Sequence, residues 1–138
     1  MKRPWSGEWL PLAMAARAAM AHSSGRPRRG AAIEDQDGRI HSGAAIAPPD
    51  LPAAALCAEH AAIAAICASG SRNPRRLVIL GPPPAGASQP CGRCLQVLLE
   101  FVRNVEIRWG TASEERGRSD LRRLLPDPFD DYRKNGSG

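Results

Sequence analysis

The chain has 138 residues, the length of one domain, and its 43% hydrophobic content is ordinary for a globular protein. Aromatic residues make up only 4%, so Ala, Leu and Ile must build the core, and a surface stacking many nucleic-acid bases is disfavoured. The formal charge of +5 comes from arginines grouped at Arg26 to Arg29, Arg72 to Arg76 and Arg116 to Arg123, which either attract phosphates or sit solvated on the surface.

In chain order, Met1-Lys2-Arg3 and an Ala-rich stretch imitate a signal peptide. Glu8 and Arg17 interrupt that pattern, and the spacing predicts a first helix from Glu8 to His22, stopped at Ser23-Ser24-Gly25. A strand pair follows over 30–34 and 39–46, turning at Asp37-Gly38. Pro48, Pro49 and Pro52 exclude regular structure up to the second helix, which starts near Leu56 and ends at Ser69-Gly70. Arg76 to Leu80 is a continuous apolar run, as in a buried strand. A Pro/Gly loop leads to a third helix from Cys91 to Arg103, a strand over 105–109 and a short capped helix over 119–125. Residues 1–130 are expected to form one domain and 131–138 a flexible tail. No apolar run reaches the roughly 18 residues of a membrane span.

Two motifs carry chemistry. Cys57-Ala58-Glu59 opens the second helix, and Pro90-Cys91-Gly92-Arg93-Cys94 opens the third. A catalytic zinc keeps three protein ligands and one open position, and three cysteines at two helix starts meet that requirement with one zinc per chain. Cys91 and Cys94 are three apart, so their sulfurs project from one side of a first turn. Helix N-termini favour thiolate over thiol. Glu59 is too near Cys57 to be an obvious ligand, yet is placed to move protons. This is the pattern of a zinc deaminase, in which an activated water displaces a ring amine.

Other readings compete for the same residues. His60 or His41 would complete a structural site of four ligands, and Cys91-x-x-Cys94 alone also suits a thiol redox motif or a disulfide. These leave the placement of Glu59 unexplained. Cys67, ten residues beyond Cys57 on an apolar helix, suits the core. Three thiolates suit a reducing, cytoplasmic compartment.

From about Leu10 to Phe129 the chain resembles the cytidine deaminase family, including its blasticidin S deaminase branch. The resemblance rests on Gly30-Ala31-Ala32-Ile33, Asp37-Gly38-Arg39-Ile40, the two cysteine motifs with Leu95-Gln96-Val97, and Leu124-Leu125-Pro126-Asp127-Pro128-Phe129. It implies a three-layer α/β/α fold with a five-stranded mixed sheet, a homotetramer (a dimer being the alternative) and active sites near subunit interfaces. It implies Zn2+ on Cys57, Cys91 and Cys94, Glu59 as the catalytic residue, and Ala58, Ala45, Ala47 and Pro90 beside the substrate. The substrate implied is an aminated pyrimidine-type nucleoside or base, cytidine-like or deoxycytidine-like.

The departures from the family bear on substrate choice. Cytidine-processing members carry Gly-x-Asn-x-Glu after the second strand, where the Asn and Glu hold the ribose. Here the stretch is Gly43-Ala44-Ala45-Ile46-Ala47, and two methyl groups cannot hydrogen-bond a sugar. Arg26, Arg28 and Arg29 stand where an aromatic usually precedes the Gly-Ala-Ala strand. His60 and Leu95 occupy positions that commonly hold an arginine donating to the sulfurs; His60 either takes over that support or is a core histidine. These changes raise a specialised deaminase of a modified nucleoside or other heterocycle, as in antibiotic resistance or biosynthesis. A polynucleotide deaminase and a zinc-stabilised binding module without catalysis are further alternatives.

Overall fold

Alternation along two central strands supplies both hydrophobic faces of the sheet. The computed structural model describes residues 3–24, 26–71, 73–83 and 89–129. Among them are strands β1 (Arg3–Pro4), β2 (Gly30–Asp35), β3 (Ile40–Ala44), β4 (Pro74–Leu80), β5 (Glu106–Gly110) and β6 (Glu114–Asp120). The helices are α1 (Leu10–Met20), α2 (Ala58–Ala68), α3 (Gly92–Leu98) and α4 (Leu121–Leu124). In β2 and β4, Ala32, Val78 and Leu80 pack on one face against Trp5, Trp9, Leu12, Ala13 and Ala16. Ala31, Ile33, Leu77 and Ile79 face the opposite way, onto Ala58, Ala62, Ile63, Ile66, Leu95 and Leu98 of α2 and α3. Period-two alternation thus places α1 on one side and α2 with α3 on the other, which is the expected α/β/α sandwich.

The strand order is β1-β6-β5-β4-β2-β3, with β4 and β5 parallel and the other pairs antiparallel. The five full strands of the expected mixed sheet are β2 to β6, and the two-residue β1 adds a sixth at the edge. Two glycines set how closely the layers approach. A Cβ on Gly30 would lie 2.1 Å from the Ala16 carbonyl oxygen of α1, and one on Gly43 would lie 2.3 Å from the Ala62 nitrogen of α2.

Several expectations are corrected in detail. The first helix begins as a 3-10 turn over Gly7–Trp9 and is regular only from Leu10, with Pro11 tolerated in its first turn. The third helix ends at Leu98 rather than Arg103. Glu100 and Phe101 donate to carbonyls three residues back, tightening the chain before it turns into β5. Strand β6 went unread because Glu114-Glu115-Arg116-Gly117-Arg118 lacks an apolar alternation. Its charges are paired instead, Arg108 and Arg118 both meeting Glu115.

Arg76 of β4 and Arg108 of β5 are structural. Arg76 pairs with Glu34 at 2.7 Å and Glu8 at 2.6 Å, and the Arg108 guanidinium lies 4.2 Å from the centre of the Trp9 ring. No helix among the described residues is long and apolar enough to cross a membrane. The expected tail, 131–138, lies outside the described residues.

Candidate active site

Both motif cysteines that open a helix are its N-cap. Cys57 caps α2 and Cys91 caps α3, each with extended backbone, and Cys94 lies one turn into α3. This geometry turns three sulfurs toward one point, all within 4.8 Å of one another. Sulfurs around a tetrahedral zinc, at a Zn–S distance of about 2.3 Å, lie roughly 3.8 Å apart, so small side-chain adjustments suffice. All four cysteines are free thiols, which removes the disulfide reading. Among the described residues no histidine joins the sulfur cluster, which leaves the open position of a catalytic site. His41 is engaged elsewhere, 3.1 Å from Asp35 on the β2–β3 hairpin.

The electrostatics distinguish the three thiols. Burial pushes Cys57 and Cys94 above the ordinary thiol range, and the Glu59 carboxylate adds to both shifts. Burial also acts on Cys91, but the backbone N–H groups of Cys94 and Arg93 outweigh it and hold this thiol below its ordinary value. Cys91 is therefore the first to ionise, at the positive end of α3.

Glu59 is 2% exposed, and its Oε2 accepts the Cys91 N–H at 3.0 Å. The carboxylate thus ties the start of α2 to the start of α3, a contact absent from the spacing argument. The only sequence signal for it is Pro90, before an extended Cys91 whose N–H is left for a side chain.

Of the other predicted residues, Ala58 and Pro90 each adjoin a motif cysteine along the chain. Ala58 is fully buried as the first residue of α2, while Ala45, Ala47 and Pro90 are half-buried. Ala45 packs against the α2 side of the core, and an isolated bridge between Ile46 and Leu56 brings the end of β3 beside Cys57. His60 is half-buried, and its Nδ1 has no hydrogen-bond partner among the described residues. Asp50 and Arg93 are exposed. Ser23 and Ser24, read only as a helix stop, hold the end of β3. The Ser23 hydroxyl donates to the Ala45 carbonyl at 3.1 Å, and the Ser24 hydroxyl accepts from the Ala47 N–H at 3.2 Å. A serine pair after a helix is a general signal for such side-chain to backbone bonds.

With this geometry in place, residues 5–108 match the family described as the cytidine and deoxycytidylate deaminase zinc-binding region. The chain belongs to this family. Its fold is similar to that of cytidine deaminase from Burkholderia pseudomallei, at TM-score 0.76 and 27% identity over 86% of this chain and 97% of that one. Cytidine deaminase from Mycobacterium tuberculosis matches at TM-score 0.71 and 30% identity, over 90% of this chain and 98% of that one. The Mycobacterium leprae enzyme matches at TM-score 0.69 and 31% identity, over 88% and 100%. A comparison with curated proteins finds no match. As a deaminase of this family the chain is a zinc-dependent hydrolase, and its three-sulfur cluster is the donor set such an ion requires.

Proposed function

We propose that this protein hydrolytically deaminates a pyrimidine-type ring, in a nucleoside such as cytidine or deoxycytidine or as a free base, with release of ammonia. The placement of Glu59 carries the proposal: a buried carboxylate joined to the backbone of Cys91, next to three convergent sulfurs. Cys57, Cys91 and Cys94 are the ligands of one zinc ion in this reading. Zinc, when bound, supplies the Lewis acidity that makes water a nucleophile near neutral pH.

The remaining steps belong to the chain. Glu59 takes a proton from the attacking water and delivers it to the ring nitrogen next to the amine-bearing carbon. As the carbon–nitrogen bond breaks, the second proton of that water leaves through Glu59 with the amine, giving a ring carbonyl and ammonia. The Cys91 N–H holds the carboxylate in place throughout. Ala58, Ala45, Ala47 and Pro90 form the walls against the substrate, and His60 is placed one residue after Glu59 to support the sulfurs.

The two methyl groups at Ala45 and Ala47 favour a second reading, in which the substrate is a modified nucleoside or another aminated heterocycle. Each lost hydrogen bond to a neutral group costs about 0.5–1.5 kcal/mol, so two lower affinity for plain cytidine by roughly one to two orders of magnitude. Ammonia release from cytosine, cytidine, deoxycytidine, a 3′-deoxy analogue and blasticidin-like compounds tests both readings. A kcat/KM for cytidine of ~10⁵ M⁻¹s⁻¹ with strong preference for the intact ribose points to an ordinary cytidine enzyme, and no ammonia from any compound removes the deaminase reading. We further infer a homo-oligomer, a tetramer by family resemblance, working in the cytoplasm, where thiolates stay reduced.

A further inference from the structure

Arg29 borders the end of β3, the stretch that runs beside Cys57. The Ala45 N–H donates to the Arg29 carbonyl at 3.1 Å, extending the Gly30–Ala44 register by one pair. Residues opposite one another in an antiparallel ladder share a face, and faces alternate along each strand. A Cβ on Gly30 would point into α1, toward Ala16 and Met20, so Arg29 leaves the sheet on the other side, as Ala31 does. That side carries α2, the core cluster against which Ala45 packs, and the start of the helix capped by Cys57. Ala45 thus lies between Arg29 and the first cysteine, because the Ile46–Leu56 bridge brings Cys57 alongside it.

Arg29 is half-buried, and its Nε is buried with no hydrogen-bond partner among the described residues. Its backbone is fixed: the Arg29 N–H donates to the Ser23 hydroxyl at 3.2 Å, and that hydroxyl donates to the Ala45 carbonyl. A buried guanidinium nitrogen without an acceptor is costly, and a bound acceptor recovers that cost. Ala45, the neighbour of Arg29 across the ladder, has no polar side-chain atom to serve as that acceptor. The planar fork of arginine matches carboxylate and phosphate oxygens better than sugar hydroxyls.

We propose that Arg29 determines specificity at this site by pairing with an anionic group, carboxylate or phosphate, on the sugar side of the substrate's aminated ring. This rests on the deaminase reading above and names the substrate class within it. An arginine in place of neutral sugar contacts turns a nucleoside site into one for an acidic nucleoside derivative or a nucleotide.

The test is calorimetric binding to the full-length, zinc-loaded protein of three probes: cytidine, cytidine 5′-monophosphate and the 5′-carboxylate analogue of cytidine. Wild type is compared with Arg29→Lys, Arg29→Gln and Arg29→Ala, each checked for zinc content and thermal melting. At least one anionic probe should bind wild type about 10- to 100-fold more tightly than cytidine, as expected for hydrogen bonds to a charged group. That ratio should fall to near one in Arg29→Gln and Arg29→Ala, survive in part in Arg29→Lys, and shrink in wild type as salt rises. The better of the two anions identifies the group.

Equal affinity for neutral and anionic probes in wild type overturns the proposal, as does an anionic advantage that persists in Arg29→Gln. Loss of zinc in Arg29→Gln would also overturn it, by making Arg29 a support for the thiolates. If Arg29→Ala does not fold, the Gln and Lys variants and the salt dependence decide. Ammonia release from the same probes is scored separately, so failure of the deaminase reading leaves the binding ratio interpretable. Failure of the Arg29 pairing likewise leaves deamination standing.

Discussion

Each thiol at the centre of this protein has its own proton affinity, and that has a measurable consequence. Cys57 and Cys94 are pushed above the ordinary thiol range by burial and by the Glu59 carboxylate, so they enter neutral solution protonated. Zinc takes only thiolates, and its binding must expel those protons. Affinity therefore rises with pH through neutrality and falls as the medium is acidified. Calorimetry in two buffers of different ionisation enthalpy should find about two to three protons released per zinc, and release near zero would contradict these shifts. In Cys91→Ser, which loses the most readily ionised sulfur, most of the zinc should be lost on dialysis; full retention would remove Cys91 from the ligand set. The sulfurs were legible in the sequence because ligand spacing follows directly from helix geometry. The Glu59 to Cys91 contact and the inward face of Arg29 were not, because both depend on where separate elements meet.

At the scale of elements, two glycines and one aspartate hold the layers and the hairpin in register. Gly43 lets α2 lie against β3, and a methyl group there would strike the Ala62 nitrogen. Gly43→Ala should push the start of α2, and Cys57 with it, away from α3, costing about 1–3 kcal/mol of stability and weakening zinc binding. Unchanged zinc affinity would show that α2 can yield without moving its cap. At the other end of β2, Asp35 is fully buried and accepts the Ser71 hydroxyl at 2.7 Å, His41 at 3.1 Å and the N–H groups of Asp37 and Arg39. Burial alone would raise its pKa, but these donors outweigh it and hold the carboxyl well below the usual range.

A depressed folded-state pKa gives stability that is fully present above the unfolded value of about 3.9 and lost as pH falls through the folded value. Asp35→Ala should therefore cost about 3 kcal/mol near pH 7, read from chemical denaturation, and the gap to wild type should narrow only below about pH 4. A gap independent of pH down to pH 2 would contradict the assignment. The hairpin itself was readable from Asp37-Gly38, and a short capped helix over 119–125 from its local sequence, although Ser119 and Asp120 end β6 and α4 starts at Leu121 with Asp120 as its cap. Strand β6 was not, because its ion pairs to β5 appear only once the sheet is assembled.

Across the whole molecule, the exterior retains large apolar side chains: Met14, Leu51 and Phe129 are each more than half exposed. Light scattering on the purified protein should give a mass of several chains, a tetramer by family resemblance, and a concentration-independent monomer would contradict that inference. Neither the paired arginines of the sheet nor the two indoles beneath α1 are offered to a polynucleotide. Arg76, Arg108 and Arg118 are consumed by Glu8, Glu34 and Glu115, and the aromatic residues Trp5 and Trp9 are buried under α1's face of the sheet.

The central claim is that Glu59 moves protons beside a zinc held by Cys57, Cys91 and Cys94. Glu59→Gln preserves shape and can still accept the Cys91 N–H, but it cannot carry a proton at neutral pH. The deciding measurement is ammonia release on the best substrate from the panel, made together with zinc content on the same sample. The account predicts near-stoichiometric zinc and turnover lowered by about 10²–10⁴-fold. Zinc-loaded Glu59→Gln with activity within about tenfold of wild type would contradict it.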